Sequence, residues 1–199
     1  MEESLQNIIV SIPPPYVTAK SWGVLDGDDG SLLFGRNEHT VKEVASITKV
    51  MTSYLIFRIM RRFKMNPKKE MVVVSKYASS ITGTTARLRE GDILSVYDLL
   101  HGVMLPSGND AATALAEHFA VIIKEDREKQ AVNSRNPRLA KQNDQGEWEF
   151  NSLIYGNSGV DSKRGVKSRN LVKLFVEEMN KTAGMLGMES TTFSNPHGM

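Results

Sequence analysis

The sequence has 199 residues, of which 40% are hydrophobic, and this is enough for one compact domain with a sizeable core. The 25 basic and 23 acidic residues leave a formal net charge of only +2, so the charge balance gives no reason to expect nucleic acid as a partner. With Cys 0, a disulfide framework, a thiolate metal site and a thiol nucleophile are all excluded.

The N-terminal part of the sequence predicts an extended arm followed by a hairpin. Prolines at positions 13–15 cannot continue a helix or donate to a β-ladder, so residues 1–16 are expected to form the arm and residues 17–199 the domain proper. Short apolar runs at 21–26 and 31–35 flank a Gly-Asp-Asp-Gly tetrapeptide, whose residue types tolerate turn conformations. Two antiparallel strands are therefore predicted.

The next region predicts a buried helix over residues 44–60. Its apolar residues recur at helical spacing and extend most of the way round the helix. They are Ile47, Val50, Met51, Tyr54, Leu55, Ile56 and Phe57. A strand or extended edge is expected next, at residues 71–75.

Two further helices are predicted to meet at a tight corner. A capping-box pattern at residues 95–98 opens a helix that ends at Leu105. The Pro-Ser-Gly sequence at 106–108 breaks this helix, and Asn109 or Asp110 can cap the next one, at 111–123. The Ser-Gly-Asn tripeptide is therefore expected to connect two helices.

The last third of the sequence predicts an irregular segment and one more helix. Residues 124–170 are polar, with repeated Asn, Lys, Arg, Gln and Gly, and are expected to form an insertion or a long loop. Helical periodicity returns at 171–186 and stops at Gly187.

No export signal or membrane span is predicted. Acidic residues stand near the N-terminus where a secretory signal carries bases, and the apolar run at 8–10 is too short for such a signal. The apolar stretch at 111–123 is interrupted by Glu117 and His118 and falls short of the ~20 residues that a bilayer requires. These features do not assign the protein to a cellular compartment.

Ser46 and Lys49 form the candidate catalytic pair. Their i,i+3 spacing places both side chains on the same side of the predicted helix, near its N-terminus. A serine hydroxyl needs a base before it can attack an amide or ester, and a lysine can be that base only if burial depresses its pKa. The mostly apolar helix would supply the burial, and the backbone N–H of Ser46 is a candidate oxyanion donor.

Each motif also has a purely structural interpretation. A single S-x-x-K in a sequence of this composition is expected by chance, and Lys49 could be a solvated lysine on a core helix. Ser107-Gly108-Asn109 is one of three S-x-N tripeptides in the sequence and could be a helix-capping turn. The motifs gain weight only from the sequence around them.

Three blocks of sequence match the signature of a known enzyme family. Residues 43–52 resemble Pro-Ala-Ser-x-Thr-Lys-x-Met-Thr, with Val44 in place of the usual proline. Residues 105–117 contain Ser-Gly-Asn-Asp-Ala-Ala, and residues 175–198 end in Asn-Pro-His-Gly. These blocks, in this order, resemble the serine D-alanyl-D-alanine carboxypeptidases, which are penicillin-binding hydrolases with S-x-x-K, S-x-N and K-T-G motifs.

The resemblance implies a fold and a reaction. The fold would be the α/β (α+β) architecture of serine β-lactamases and DD-peptidases, with a helical region packed on an antiparallel sheet. Ser46 would be acylated, Lys49 would deprotonate it, Ser107 would relay a proton to the leaving group, and Asn109 would hold the substrate's amide. The substrate would be a peptidoglycan stem peptide ending in D-Ala-D-Ala, and β-lactams would be inhibitors. Such enzymes usually act in the periplasm or cell envelope.

Two departures from the family pattern qualify this interpretation. No Lys-Thr-Gly or Lys-Ser-Gly occurs in the sequence, so the strand that carries the third motif is expected to be missing, and the 199 residues alone are expected to be inactive. The second departure is the long polar segment at 124–170. A catalytically incomplete relative that binds peptides or partners therefore stays an alternative, and a β-lactamase is another.

Cofactors and other partners are not indicated. The histidines show no metal-ligand spacing, so no metal is predicted. A basic cluster between residues 58 and 69 lacks a recognition motif and is interpreted as a solvated helix end rather than a phosphate-binding surface.

Overall fold

The computed structural model describes residues 16–135 and 168–199, and the chain divides into two units, Met1–Lys42 and Glu43–Met199. Residues 1–15 of the predicted N-terminal arm and most of the predicted polar segment lie outside the described residues. Each unit is described by itself below.

The first unit contains the predicted hairpin. Strand β1 (Trp22–Leu25) pairs antiparallel with β2 (Leu32–Arg36), and the register shifts after Val24. In the connecting turn the Asp26 carboxylate accepts a hydrogen bond from the Asp28 N–H at 2.8 Å, and Gly30 has a φ of +76°, a conformation that glycine adopts without steric cost. The predicted pair of antiparallel strands is confirmed.

The second unit is mainly helical. Its elements in chain order are α1 (Thr48–Arg62), β3 (Met71–Val73), α2 (Lys76–Ser79), β4 (Ile93–Ser95), α3 (Val96–Met104), α4 (Asn109–Arg135) and α5 (Ser168–Met185). A 3-10 turn, Ala45–Ile47, leads directly into α1. The mixture of helices and antiparallel strand pairs agrees with the fold class expected from the sequence.

Helix α1 is buried on one side only, which corrects the prediction of a helix buried most of the way round. Met51, Leu55 and Ile56 face the core, where α1 packs against α3, α4 and α5. Four of the apolar residues counted toward the buried face are exposed instead: Ile47, Val50, Tyr54 and Phe57. Hydrophobic periodicity shows which residues share a face, but it cannot show which faces another element covers.

The short ribbon of β3 and β4 precedes α3. Val72 lies opposite Leu94 in the antiparallel pair. Ser95 caps α3, because its hydroxyl accepts a hydrogen bond from the Asp98 N–H at 3.1 Å. The predicted capping pattern is therefore present, whereas β4 and the single-turn helix α2 were not predicted.

Helix α4 is the centre of the core and is longer than predicted. Its first half is lined with small side chains that let neighbouring elements approach closely, and Leu115 and Phe119 are fully buried between α1, α3 and α5. The helix continues through Arg135, so residues 124–135 of the predicted irregular segment are helical. Residues 127–131 of this part are exposed, and Arg127 Nη2 lies 2.7 Å from Glu178 Oε2 on α5. The predicted irregular segment also ends before residue 170, because helix α5 begins at Ser168.

One carboxyl group is buried inside this core. Glu117 on α4 is 4% exposed, and its Oε2 accepts a hydrogen bond from the Ser75 hydroxyl at 2.5 Å. Its Oε1 has no hydrogen-bond partner among the residues that the structure describes. Burial raises the pKa of Glu117, and hydrogen bonds from Ser168 and Ser75 oppose only part of that rise.

We expect Glu117 to make the protein less stable as pH rises. The unfolded chain releases this proton near pH 4.5 and the folded chain at a higher pH, so the unfolding free energy should fall across that interval. Glu117→Gln should remove this slope, whereas Glu189→Gln, at an exposed site, should retain it. Urea denaturation at several pH values between 4 and 8 would measure the slope. An unchanged slope in Glu117→Gln would contradict the assignment.

Candidate active site

Ser46 and Lys49 lie together at the start of α1. Ser46 is in the 3-10 turn and Lys49 is in the first turn of the helix, so the chain places their side chains on one side. Lys49 Nζ lies 3.1 Å from Ser46 Oγ, and the lysine is only 2% exposed. Ala45, directly before the serine, has a φ of +46°. Such strained backbone in a non-glycine residue is concentrated at functional sites.

Asn109 is the second polar group at Lys49. Its Oδ1 accepts a hydrogen bond from Lys49 Nζ at 2.8 Å, and the asparagine is fully buried. The orientation of the amide is fixed by its other end, because Nδ2 donates to the Thr82 carbonyl at 2.9 Å. The asparagine of the Ser107-Gly108-Asn109 tripeptide thus faces the Ser46–Lys49 pair.

The third group at Lys49 is the carbonyl of His197. Lys49 Nζ donates to this oxygen at 3.1 Å, across 148 residues of sequence. Burial lowers the pKa of the His197 ring, and the positive charge of Lys49 lowers it further. The sequence placed His197 only within the Asn-Pro-His-Gly block. Every residue has a backbone carbonyl, so the residue type does not indicate this contact with Lys49. Only the match of the Asn-Pro-His-Gly block to the family could have pointed to this part of the chain.

Ser107 lies in the corner between α3 and α4. Its φ is +57°, and its carbonyl accepts a hydrogen bond from Thr84 Oγ1 at 2.6 Å. The Thr84 hydroxyl also lies 3.4 Å from Asn109 Oδ1, so Thr84 contacts both the serine and the asparagine of the tripeptide. Among the described residues, the Ser107 hydroxyl makes no hydrogen bond to Ser46 or Lys49. Its role as a proton relay therefore stays a prediction.

Asp110 holds the loop that orients Asn109. Its carboxylate accepts hydrogen bonds from the Thr85 hydroxyl at 2.6 Å and from the N–H groups of Ala86 and Leu88 at 2.9 and 3.1 Å. Burial by itself would raise the pKa of Asp110, but these hydrogen bonds outweigh burial and lower it. The carboxylate therefore stays ionised and fixes residues 82–88 beside the site. This function was not predicted.

The electrostatic character of the site is set by burial. Desolvation lowers the pKa of Lys49, because the charged ammonium loses its hydration and the three contacting oxygens belong to neutral groups. A serine hydroxyl beside a buried amine of lowered pKa has the donor and acceptor that nucleophilic catalysis requires.

In the described parts of the chain, no group of three or more His, Asp or Glu residues is placed to hold a metal ion. None of the helices in those parts combines the length and the apolar character of a membrane span.

Comparison with known proteins places this chain in a family. The sequence model of peptidase family S11, described as D-alanyl-D-alanine carboxypeptidase, matches residues 8–125. The match covers more than half of the chain, and the chain belongs to this family.

The relatives agree with that assignment. The chain is 36% identical over 121 residues to the D-alanyl-D-alanine carboxypeptidase DacD of Escherichia coli, a match that covers 58% of this chain and 31% of the relative. The crystal structure of DacD from Francisella tularensis has a TM-score of 0.64 and 25% identity, and the match covers 94% of this chain and 34% of that one. Penicillin binding protein 5 from Haemophilus influenzae has a TM-score of 0.63 and 28% identity, covering 95% and 41%. The chain spans about a third of the length of the curated relatives it matches.

Proposed function

We propose that this chain carries the nucleophile and the general base of a serine D-alanyl-D-alanine carboxypeptidase. The family assignment supports the reaction class, and the relatives' names support this substrate rather than the β-lactam ring of a β-lactamase. The observation that carries the proposal is the set of three oxygens around the buried Lys49 Nζ.

Those three oxygens favour a single arrangement of a neutral lysine. A neutral amine has two N–H groups and one lone pair. Asn109 Oδ1 and the His197 carbonyl can only accept hydrogen bonds, so they take the two N–H groups. The lone pair then points at the Ser46 hydroxyl, because Ser46 Oγ is the one oxygen of these three that carries a proton. Lys49 is thereby preorganised to remove that proton.

The proposed reaction proceeds through an ester on Ser46. Ser46 Oγ attacks the carbonyl carbon between the two D-Ala residues while its proton passes to Lys49 Nζ. The tetrahedral intermediate collapses as the C–N bond breaks, and the departing D-Ala amine takes a proton, which Ser107 would relay. Water then hydrolyses the acyl-enzyme, releasing the shortened peptide and restoring the Ser46 hydroxyl.

In the protein without substrate, the contacts of Asn109 indicate a different role from the one the resemblance implies. The expected role is to hold the substrate's amide, yet both ends of its side chain are engaged within the protein. We infer that Asn109 orients Lys49 in the free protein. Contact with substrate would require Nδ2 to exchange the Thr82 carbonyl for a substrate carbonyl.

The substrate proposal is tested by release of D-Ala from a peptide that ends in D-Ala-D-Ala. The assay uses a chain extended past Met199 through a strand that bears Lys-Thr-Gly. We expect release that Ser46→Ala abolishes and that Ser53→Ala preserves. Ser53 is a nearby α1 serine, and its hydroxyl donates to the Met104 sulfur at 3.8 Å rather than to a group of the candidate site. A peptide ending in L-Ala-L-Ala should not be cleaved. Equal cleavage by Ser46→Ala would refute the proposal.

A further inference from the structure

The segment that supplies the His197 carbonyl is a tight turn, residues 195–198, called here the 195–198 turn. Asn195 Oδ1 accepts hydrogen bonds from the N–H groups of His197 and Gly198, at 3.1 and 2.6 Å, and so closes the turn. Two sets of hydrogen bonds hold it in place. Thr52 Oγ1 on α1 donates to the Pro196 carbonyl at 2.7 Å, and just upstream Asn180 on α5 pairs with both backbone groups of Phe193.

Gly198 packs against the segment that carries the nucleophile. Its φ is +85°, and a Cβ placed on it would lie 1.8 Å from the Ala45 carbonyl oxygen and 2.8 Å from Thr48 Oγ1. Atoms cannot approach so closely, so any side chain here must drive the two segments apart. The Ala45 carbonyl belongs to the peptide bond that carries Ser46, and the His197 carbonyl is one residue from Gly198. Separation would therefore move both sides of the site.

We propose that Gly198 is a positioning residue for the Ser46–Lys49 pair, acting through the contact of the 195–198 turn with the Ala45 carbonyl. The inference rests on the proposed function of that pair. The turn supplies one of the two acceptors that direct the lysine's lone pair, and it contacts the amine of a lysine that is only 2% exposed. Gly198 permits this because only glycine allows both the left-handed conformation and the contact distance.

The test measures the Lys49 pKa in the 199-residue chain by NMR titration of isotopically labelled lysine, together with the Gly198→Ala and Thr52→Val variants. Both variants should raise the Lys49 pKa toward its ordinary 10.5, because the turn retreats and water reaches the amine. Thr52→Ser keeps the hydroxyl and should keep the lowered value. Gly187→Ala is the matched control, because Gly187 also has a positive φ, of +73°, but nothing lies within 4 Å of a Cβ placed there.

The variants separate positioning from mere stability. A destabilised but correctly assembled site would unfold at lower urea concentration and still show the lowered Lys49 pKa. A folded Gly198→Ala with an unchanged Lys49 pKa would overturn the proposal, and so would a Gly187→Ala variant that raises it equally. If Gly198→Ala does not fold, the comparison of Thr52→Val with Thr52→Ser decides, and an unchanged pKa in Thr52→Val refutes the proposal. No substrate is used, so this result stands apart from the outcome of the cleavage assay.

Discussion

Fluorescent penicillin should label Ser46 in a chain that extends through a Lys-Thr-Gly strand, and should label the 199-residue chain negligibly. The 199 residues contain no Lys-Thr-Gly, and the resemblance to the carboxypeptidases implies that the strand bearing it would bind the substrate carboxylate and line the oxyanion hole. Loss of one oxyanion donor typically costs about 10²- to 10³-fold in rate, and loss of a carboxylate anchor adds to it. Gel fluorescence after a time course would give the labelling rate for each chain.

The control for this experiment is Ser46→Ala in both chains. Label on the extended chain should vanish with Ser46→Ala, and mass spectrometry of the labelled peptide should place the adduct on residue 46. Strong labelling of the 199-residue chain that depends on Ser46 would show that another group takes the place of the third motif.

Replacement of Lys49 by methionine should slow penicillin labelling of the extended chain by about 10²- to 10⁴-fold, the usual contribution of a general base. Methionine keeps most of the buried volume but has no lone pair of comparable basicity. In the unchanged protein the labelling rate should rise with pH as Lys49 loses its proton, with a midpoint below 10.5, because burial lowers its pKa. Lys49→Met should lose that rise.

The matched control for this substitution is Lys69→Met, which changes an exposed lysine in the same unit. Its labelling rate and pH profile should equal those of the unchanged chain. A Lys49→Met variant that labels within a few fold of the unchanged chain would show that another group removes the Ser46 proton.

Local features of the sequence predicted much of the fold. The hairpin, the capped helix α3 and the helix that ends before Gly187 all depend on turn residues, caps and periodicity within a few positions. The ends of α4 did not follow from composition. Residues 124–135 are polar enough for a loop, yet they stay helical where ion pairs such as Arg127 with Glu178 tie α4 to α5.

The exposed side of α1 is a second feature that the sequence could not predict. Ile47, Val50, Tyr54 and Phe57 are as apolar as the residues that are buried. Only the positions of α3, α4 and α5 decide which side of the helix is covered, and the pattern of apolar residues contains no information on those positions.

The sequence by itself determined the Ser46 and Lys49 pair, because three residues of a helix bring the two side chains to one side whatever the rest of the chain does. Only the tertiary structure decided what surrounds that pair. Asn109 and the His197 carbonyl reach Lys49 across 60 and 148 residues of sequence, and Gly198, next to His197, contacts Ala45 from the same distant part of the chain. The burial that lowers the Lys49 pKa arises from these long-range contacts, since desolvation depends on neighbours in space and not on neighbours in sequence.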